Sequence, residues 1–164
     1  MPSIDEYARR PREERLARIA GTPDELADAV RGADAAVVAR RPAPKSWAVT
    51  EVICHLRDNE EWFLERMRLI VAMDQPRFVA TNPDRWADER QYLTNDAALA
   101  LAAFTRRRRE TLEFLRPLEP DAWARAGLHT DSRGRRTIDE FLSVMAWHDD
   151  NHLDQLRRAL NGRP

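Results

Sequence analysis

Residues 49–73 read VTEVICHLRDNEEWFLERMRLIVAM. Within them Val52, Ile53, Leu56, Phe63, Met67, Ile70 and Val71 recur at the three- and four-residue intervals that put side chains on one face of an α-helix. The stripe predicts a helix from Val49 to about Met73, ended before Gln75-Pro76. At 1.5 Å per residue it is about 36 Å long, enough to form one full stave of a helical bundle.

Similar stretches lie on either side. A helix is expected from about Asp96 to Arg116, with Ala97, Leu101, Phe104, Leu112 and Leu115 on one face and Pro117 as its stop. Thr137-Ile138-Asp139-Glu140 has the pattern of a capping box and should launch a last helix that Gly162 closes. Upstream, Thr22-Pro23-Asp24-Glu25 reads as another capping box with Pro at the first helical position. It opens a helix to about Ala39, before Arg41-Pro42-Ala43-Pro44. Residues 1–20 read as an additional helical segment and 119–126 as a short helical turn.

Four principal helices with almost no strand signal predict an all-α four-helix bundle. The link from Met73 to Asn95, about 21 residues, could span about 70 Å and return along the bundle, leaving the second and third helices parallel. No internal repeat, Gly-rich phosphate loop or dividing linker is present, so residues 1–164 read as one domain.

Composition narrows the function. The chain has 164 residues, 43% hydrophobic and 34% charged, with 27 basic residues against 28 acidic. A net charge of -1 withholds the basic excess of a nucleic-acid binder. The longest apolar run, Ala97 to Phe104, is far short of the roughly 20 residues that cross a bilayer. The first twenty residues carry no apolar segment of a secretory signal, so a cytoplasmic protein is expected. Cys54 is the one cysteine, which excludes an internal disulfide and a Cys-rich zinc cluster. Its place beside His55, about 100° away around the helix, predicts a packed core residue. Any metal must therefore be held by nitrogen and oxygen.

His148 and His152 stand four apart on the last helix, so both imidazoles leave one face and can meet one ion. Their positions fall in the arc of Ile138, Phe141, Leu142, Met145, Leu156 and Ala159 that should face the interior. The zinc-protease pattern needs Glu after the first His, where this chain has Asp149, and a further ligand that the last twelve residues lack. A third ligand must come from upstream. His129 sits in the turn-rich segment Gly127-Leu128-His129-Thr130-Asp131-Ser132-Arg133-Gly134, where a solvated loop histidine is expected. His55, on the flank of the second helix near Asn59 and Trp62, is the choice. Asp58, Asn59 and Gln155, each about one turn from a ligand, are placed to orient ligands or substrate.

Trp47-Ala48-Val49-Thr50-Glu51-Val52-Ile53-Cys54-His55-Leu56-Arg57-Asp58, followed by Trp147-His148-Asp149-Asp150-Asn151-His152-Leu153, resembles the DinB-like superfamily. Asn82-Pro83-Asp84-Arg85-Trp86-Ala87 is similar to a Trp-containing loop of its YfiT branch, the bacillithiol-transferase type. The resemblance covers roughly residues 20–160. It implies up-down-down-up topology, in agreement with the parallel helices inferred from loop length. It also implies a divalent metal on His55, His148 and His152, zinc or nickel, with iron or manganese as alternatives. Where the family usually caps the second helix with Ser or Thr, this chain has Ala48, which weakens that cap.

Three charges fall on apolar stripes. Arg106-Arg107-Arg108-Arg109 fans around its helix at about 100° per residue and cannot form one basic surface, but Arg108 projects inward. Glu60 and Asp149 do the same on their own helices. Buried charge must be paired, so these three are expected to form an ion-pair network or to line a wet pocket beside the metal, where they are candidate catalytic groups. Three functions follow from an open three-histidine site. In the first, favoured by the resemblance, a low-molecular-weight thiol is activated for transfer to an electrophile. In the second, metal-bound hydroxide performs hydrolysis with Asp149 or Glu60 as base. The third is a non-catalytic metal-binding stress protein. The expected partners are a small thiol and an electrophile, without nucleic acid or membrane, and with a homodimer left open.

Overall fold

The computed structural model describes residues 2–79, 82–131 and 134–164, so Ser132 and Arg133 of the turn-rich segment lie outside it. Eight α-helices are present among the described residues: α1 Ile4–Ala8, α2 Arg12–Val30, α3 Ala35–Val38, α4 Val49–Ala72, α5 Pro83–Glu89, α6 Ala97–Leu115, α7 Pro120–Ala124 and α8 Ile138–Leu160. The long ones, α2, α4, α6 and α8, pack against one another as a four-helix bundle. No helix among the described residues is long and apolar enough to cross a membrane.

The bundle's two apolar clusters reveal its direction. One holds Ile19, Met67, Ile70, Leu115, Ile138 and Phe141. The other holds Leu26, Val49, Val52, Ala100, Leu156 and Ala159. Helices α2 and α8 therefore run from the first cluster to the second, and α4 and α6 from the second to the first. This is up-down-down-up, with α4 and α6 parallel as loop length predicted. The long link between them carries α5, whose first turn is capped by Asn82 Oδ1 accepting from the Arg85 amide at 3.2 Å, and a 3₁₀ turn over Tyr92–Thr94.

The first long helix corrects the sequence reading. It begins at Arg12, passes through Thr22 and Pro23, and ends at Val30 instead of running from Thr22 to Ala39. Tertiary contacts outweigh the local cap. The Thr22 hydroxyl donates to Asp149 Oδ2 at 2.6 Å, and Glu25 pairs with Arg18. Pro23 has no amide to offer the Ile19 carbonyl one turn back, and Arg108 Nη1 donates to that carbonyl instead at 2.6 Å. Upstream, Arg15 ties the same helix to Asp139 and Ser143 of α8.

The start of α4 shows how Ala48 is tolerated. Glu51 accepts from the Ala48 amide at 2.8 Å and is itself held by Arg41 Nε at 2.8 Å, so charge replaces the missing hydroxyl cap. The other ends agree with expectation: Asp96 caps α6, and Thr137 with Glu140 forms the capping box of α8.

A three-stranded sheet, β1 Arg77–Phe78, β2 Ala126–His129 and β3 Arg135–Thr137, is absent from the sequence reading. Its order is β1-β2-β3, with β1 parallel to β2 and β3 antiparallel to β2. Strands of two to four residues are too short to show alternation. Gly127 permits the sheet to close: a Cβ there would lie 2.2 Å from Phe78 Cε2. The sheet leads directly into α8, whose first amide, that of Ile138, donates to the Arg125 carbonyl at 3.1 Å.

Candidate metal centre

His55 on α4 and His148 and His152 on α8 meet where the two helices pack. Their nearest ligand nitrogens all lie within 4.8 Å of one another. His55 Nε2 and His148 Nε2 are 3.0 Å apart, and the His55 and His152 ring centroids are 4.4 Å apart. Tetrahedral nitrogens at zinc, each about 2.0–2.1 Å from the ion, stand about 3.3 Å apart, so the donor set fits a small divalent ion with little movement.

All three rings are held below the ordinary histidine value of 6.5. Burial is the first cause for each, and the His152 ring adds to it for His55 and His148. Arg108 pushes His148 in the same direction. The imidazoles are thus neutral near pH 7, as metal ligands must be. Gln155 Oε1 accepts from His152 Nδ1 at 2.8 Å, which leaves Nε2 of that ring as the lone-pair donor. The Asn59 amide lies 3.1 Å from His55 Nδ1 and donates to the His55 carbonyl at 3.0 Å.

The histidines open onto a cleft of about 750 Å³. Its walls are aromatic: Trp47, Trp62, Phe63 and Trp147 line it, and Trp47 lies 4.9 Å from the His55 ring. Asn59, Asn151 and Gln155 supply its amides, and Lys45 and Arg136 its charges. No carboxylate lines it among the described residues.

Glu60, Arg108 and Asp149 come together beneath the histidines, outside that lining. They are 1%, 2% and 1% exposed. Arg108 Nη2 donates to Glu60 Oε2 at 2.6 Å and Nη1 to Asp149 Oδ2 at 2.5 Å. Burial opposes the charge on Arg108, yet its two carboxylates raise its pKa above the ordinary value. Of the two arrangements expected, the ion-pair network is the one found, and these groups face one another.

Two further readings are corrected. His129 is a buried residue of β2, 3% exposed, whose Nδ1 accepts from Arg66 Nη1 at 3.1 Å, and its place is on the sheet, away from the metal cluster. Asp58 faces away from the cleft. Burial works against its charge, but hydrogen bonds from Arg57, Arg90 and Tyr92 hold its carboxyl below the usual range. It anchors the link before α6. Asn59 and Gln155 do face the site. Cys54 is buried, and burial pushes its thiol up to about 11, so it is an unreactive core group. The cleft cations Lys45 and Arg136 escaped sequence reasoning because both lie outside the long helices, where no periodicity gives them a direction.

The profile of the DinB superfamily matches residues 18–156. A protein of Bacillus subtilis, YfiT, named as a candidate metal-dependent hydrolase, is 23% identical over 107 residues, 65% of this chain and 60% of its own length. One from Oceanobacillus iheyensis with the same description is 30% identical over 108 residues, 65% of this chain and 61% of its own. The chain thus matches about three fifths of the length of these curated relatives. Among solved structures, Bacillus subtilis YfiT, described as having an unusual four-helix bundle topology, is similar with a TM-score of 0.84 at 20% identity. That match covers 90% of this chain and 85% of the other. A mycothiol-dependent maleylpyruvate isomerase has a TM-score of 0.73 at 16% identity, covering 95% and 63%. At these identities both show shared fold alone.

Proposed function

This chain belongs to the DinB superfamily, and on that premise we propose that it is a metal-dependent transferase that activates a low-molecular-weight thiol, of the bacillithiol or mycothiol type, for conjugation to an electrophile. The observation that carries this reading is the cleft itself: three neutral imidazoles, aromatic walls and, among the described residues, no carboxylate. Hydrolysis by an activated water calls for a general base within reach, and the nearby candidates Glu60 and Asp149 are occupied by Arg108. A thiol, with a pKa of about 8.5 against about 15.7 for water, ionises more readily and depends less on such a base.

A divalent ion on these imidazoles, zinc or nickel with iron or manganese as alternatives, would supply a Lewis acid able to favour thiolate over thiol at neutral pH. His55, His148 and His152 would hold it. Gln155 fixes the tautomer of His152, and Asn59 packs against His55 through a hydrogen bond to its carbonyl. Trp47, Trp62 and Trp147 exclude water around the sulfur, which keeps the nucleophile poorly solvated and reactive. The S–C bond forms as the electrophile's leaving group departs, its strained ring opens or its activated C=C π bond breaks. The thiol proton passes correspondingly to solvent or the leaving group, to the ring oxygen, or to the carbon beside the activating group. In this reading Glu60, Arg108 and Asp149 are positioning residues that brace α4, α6 and α8 under the ligands.

The mycothiol dependence of one fold neighbour supports thiol chemistry, whereas the names of the curated relatives favour hydrolysis as a second reading. The test is turnover by metal-loaded protein of an epoxide, an alkyl halide and an activated alkene with bacillithiol, mycothiol and glutathione. A thiol-dependent rate, lost in His148→Ala with the fold retained by circular dichroism, is expected. Ester or amide hydrolysis without thiol, and no thiol-dependent rate, would transfer the assignment to the hydrolase.

A further inference from the structure

We propose that the ligand entering this cleft carries an anionic group, a carboxylate or phosphate, received by Lys45 together with the side-chain amide of Gln155. The proposal deepens the thiol-transfer reading, rests on it for the ligand's being a thiol, and narrows that thiol to one bearing an anionic group.

The first observation is a charge imbalance. Acidic and basic residues are almost equal in number, 28 against 27, and arginines across the surface are matched with carboxylates, as in Arg31–Asp28, Arg85–Glu89 and Arg158–Asp154. At the cleft Lys45 departs from this pattern, and no carboxylate stands among the described lining residues. Lys45, the one lysine of the chain, is exposed and has no carboxylate within ion-pair distance among the described residues. Low-dielectric walls of Trp47 and Trp147 concentrate the field of such a cation within the cleft.

The second observation is the orientation of Gln155. Its Oε1 is committed to His152 Nδ1 at 2.8 Å, so its NH₂ group must point elsewhere, and no acceptor holds that nitrogen among the described residues. Gln155 and Lys45 share this end of the cleft, since both also line a small neighbouring recess with Trp47. An amide donor and an ammonium in one place match the oxygens of a carboxylate or phosphate. Arg136 lies toward the other end, over Phe141 at 6.0 Å, and adds to the positive field there.

The experiment is a titration of the cobalt-loaded full chain with mercaptosuccinate, which bears two carboxylates, and with neutral 2-mercaptoethanol. Binding is read as sulfur-to-cobalt absorption. Mercaptosuccinate should bind about tenfold more tightly, as one or two charge-assisted hydrogen bonds imply. Lys45→Ala should remove most of that preference, leave 2-mercaptoethanol unchanged and leave cobalt stoichiometry unchanged. Equal affinities in the unmodified protein, or a preference that survives Lys45→Ala, would overturn the proposal; so would a preference that Arg136→Ala alone abolishes. If no thiol alters the cobalt spectrum, the thiol reading fails, and the anion site is read by tryptophan fluorescence with succinate. A roughly tenfold weakening in Lys45→Ala would then uphold the site without the thiol, and no response to succinate would overturn it as well.

Discussion

Arg108 donates to the carbonyl of Ile19 at 2.6 Å, the carbonyl that Pro23 leaves without its helical partner. The same guanidinium neutralises Glu60 and Asp149. Removing it leaves two buried carboxylates without their counter-charge and one backbone acceptor unmatched. Arg108→Ala is expected to cost about 3–5 kcal/mol in urea unfolding, as for other buried pairs broken on one side. Arg107, one residue away, meets the exposed Glu61 and donates to the Arg57 carbonyl at 3.0 Å, and Arg107→Ala should cost about 1–2 kcal/mol, less than Arg108→Ala. Similar small losses for both would show the buried carboxylates to be relieved in some other way.

Metal content separates the histidines. Purified protein should hold about one divalent ion per chain by elemental analysis, and His55→Ala, His148→Ala and His152→Ala should each lose most of it. His129→Ala should stay loaded, because that ring is engaged with Arg66 on the sheet. Gln155→Ala should weaken metal affinity about 10–100-fold while leaving the stoichiometry at saturation unchanged, the usual effect of freeing a ligand's second nitrogen.

Gly127 tests the sheet. Its absent side chain is where Phe78 sits, at 2.2 Å from the position of a Cβ. Gly127→Ala must displace Phe78 or part β1 from β2, at a cost of about 1–3 kcal/mol by thermal unfolding. Gly134→Ala is strained instead by its φ of +61° and meets no atom within 4 Å, so a loss confined to that variant would place the constraint in the loop.

Acid should destabilise the metal-free protein in two windows. The three site histidines bind protons less readily when folded than at the ordinary value of 6.5, burial being the main cause. Below about pH 6.5 the unfolded chain therefore binds more protons, and stability falls as the pH drops. Asp58 and Asp139, held below the ordinary 3.8 by arginines that outweigh burial, withdraw their contribution only at lower pH, below about 4. Urea midpoints between about pH 7 and pH 5 should decline, and the decline should flatten when His55 and His148 are replaced by Gln. A flat profile in the unmodified protein would contradict the depressed histidines.

Three of the four long helices, their apolar faces and the facing of His148 and His152 were legible in the sequence, because a 3.6-residue period and an i, i+4 spacing are local properties that need no partner. Even the inward projection of Glu60, Arg108 and Asp149 follows from helix phase. What those charges meet could not be read, since pairing joins residues 41 to 89 positions apart and depends on how α4, α6 and α8 cross. The same holds at Thr22 and Pro23. Locally they form a helix start; in the fold a hydroxyl turned to Asp149 and a carbonyl claimed by Arg108 carry the helix straight through them. His129 and the sheet were beyond reach because strands of two to four residues show no period and are held only by their neighbours. Sequence thus determined which faces turn inward, through local geometry; tertiary structure alone decided which inward groups touch, because burial makes each polar group take whatever partner lies within reach.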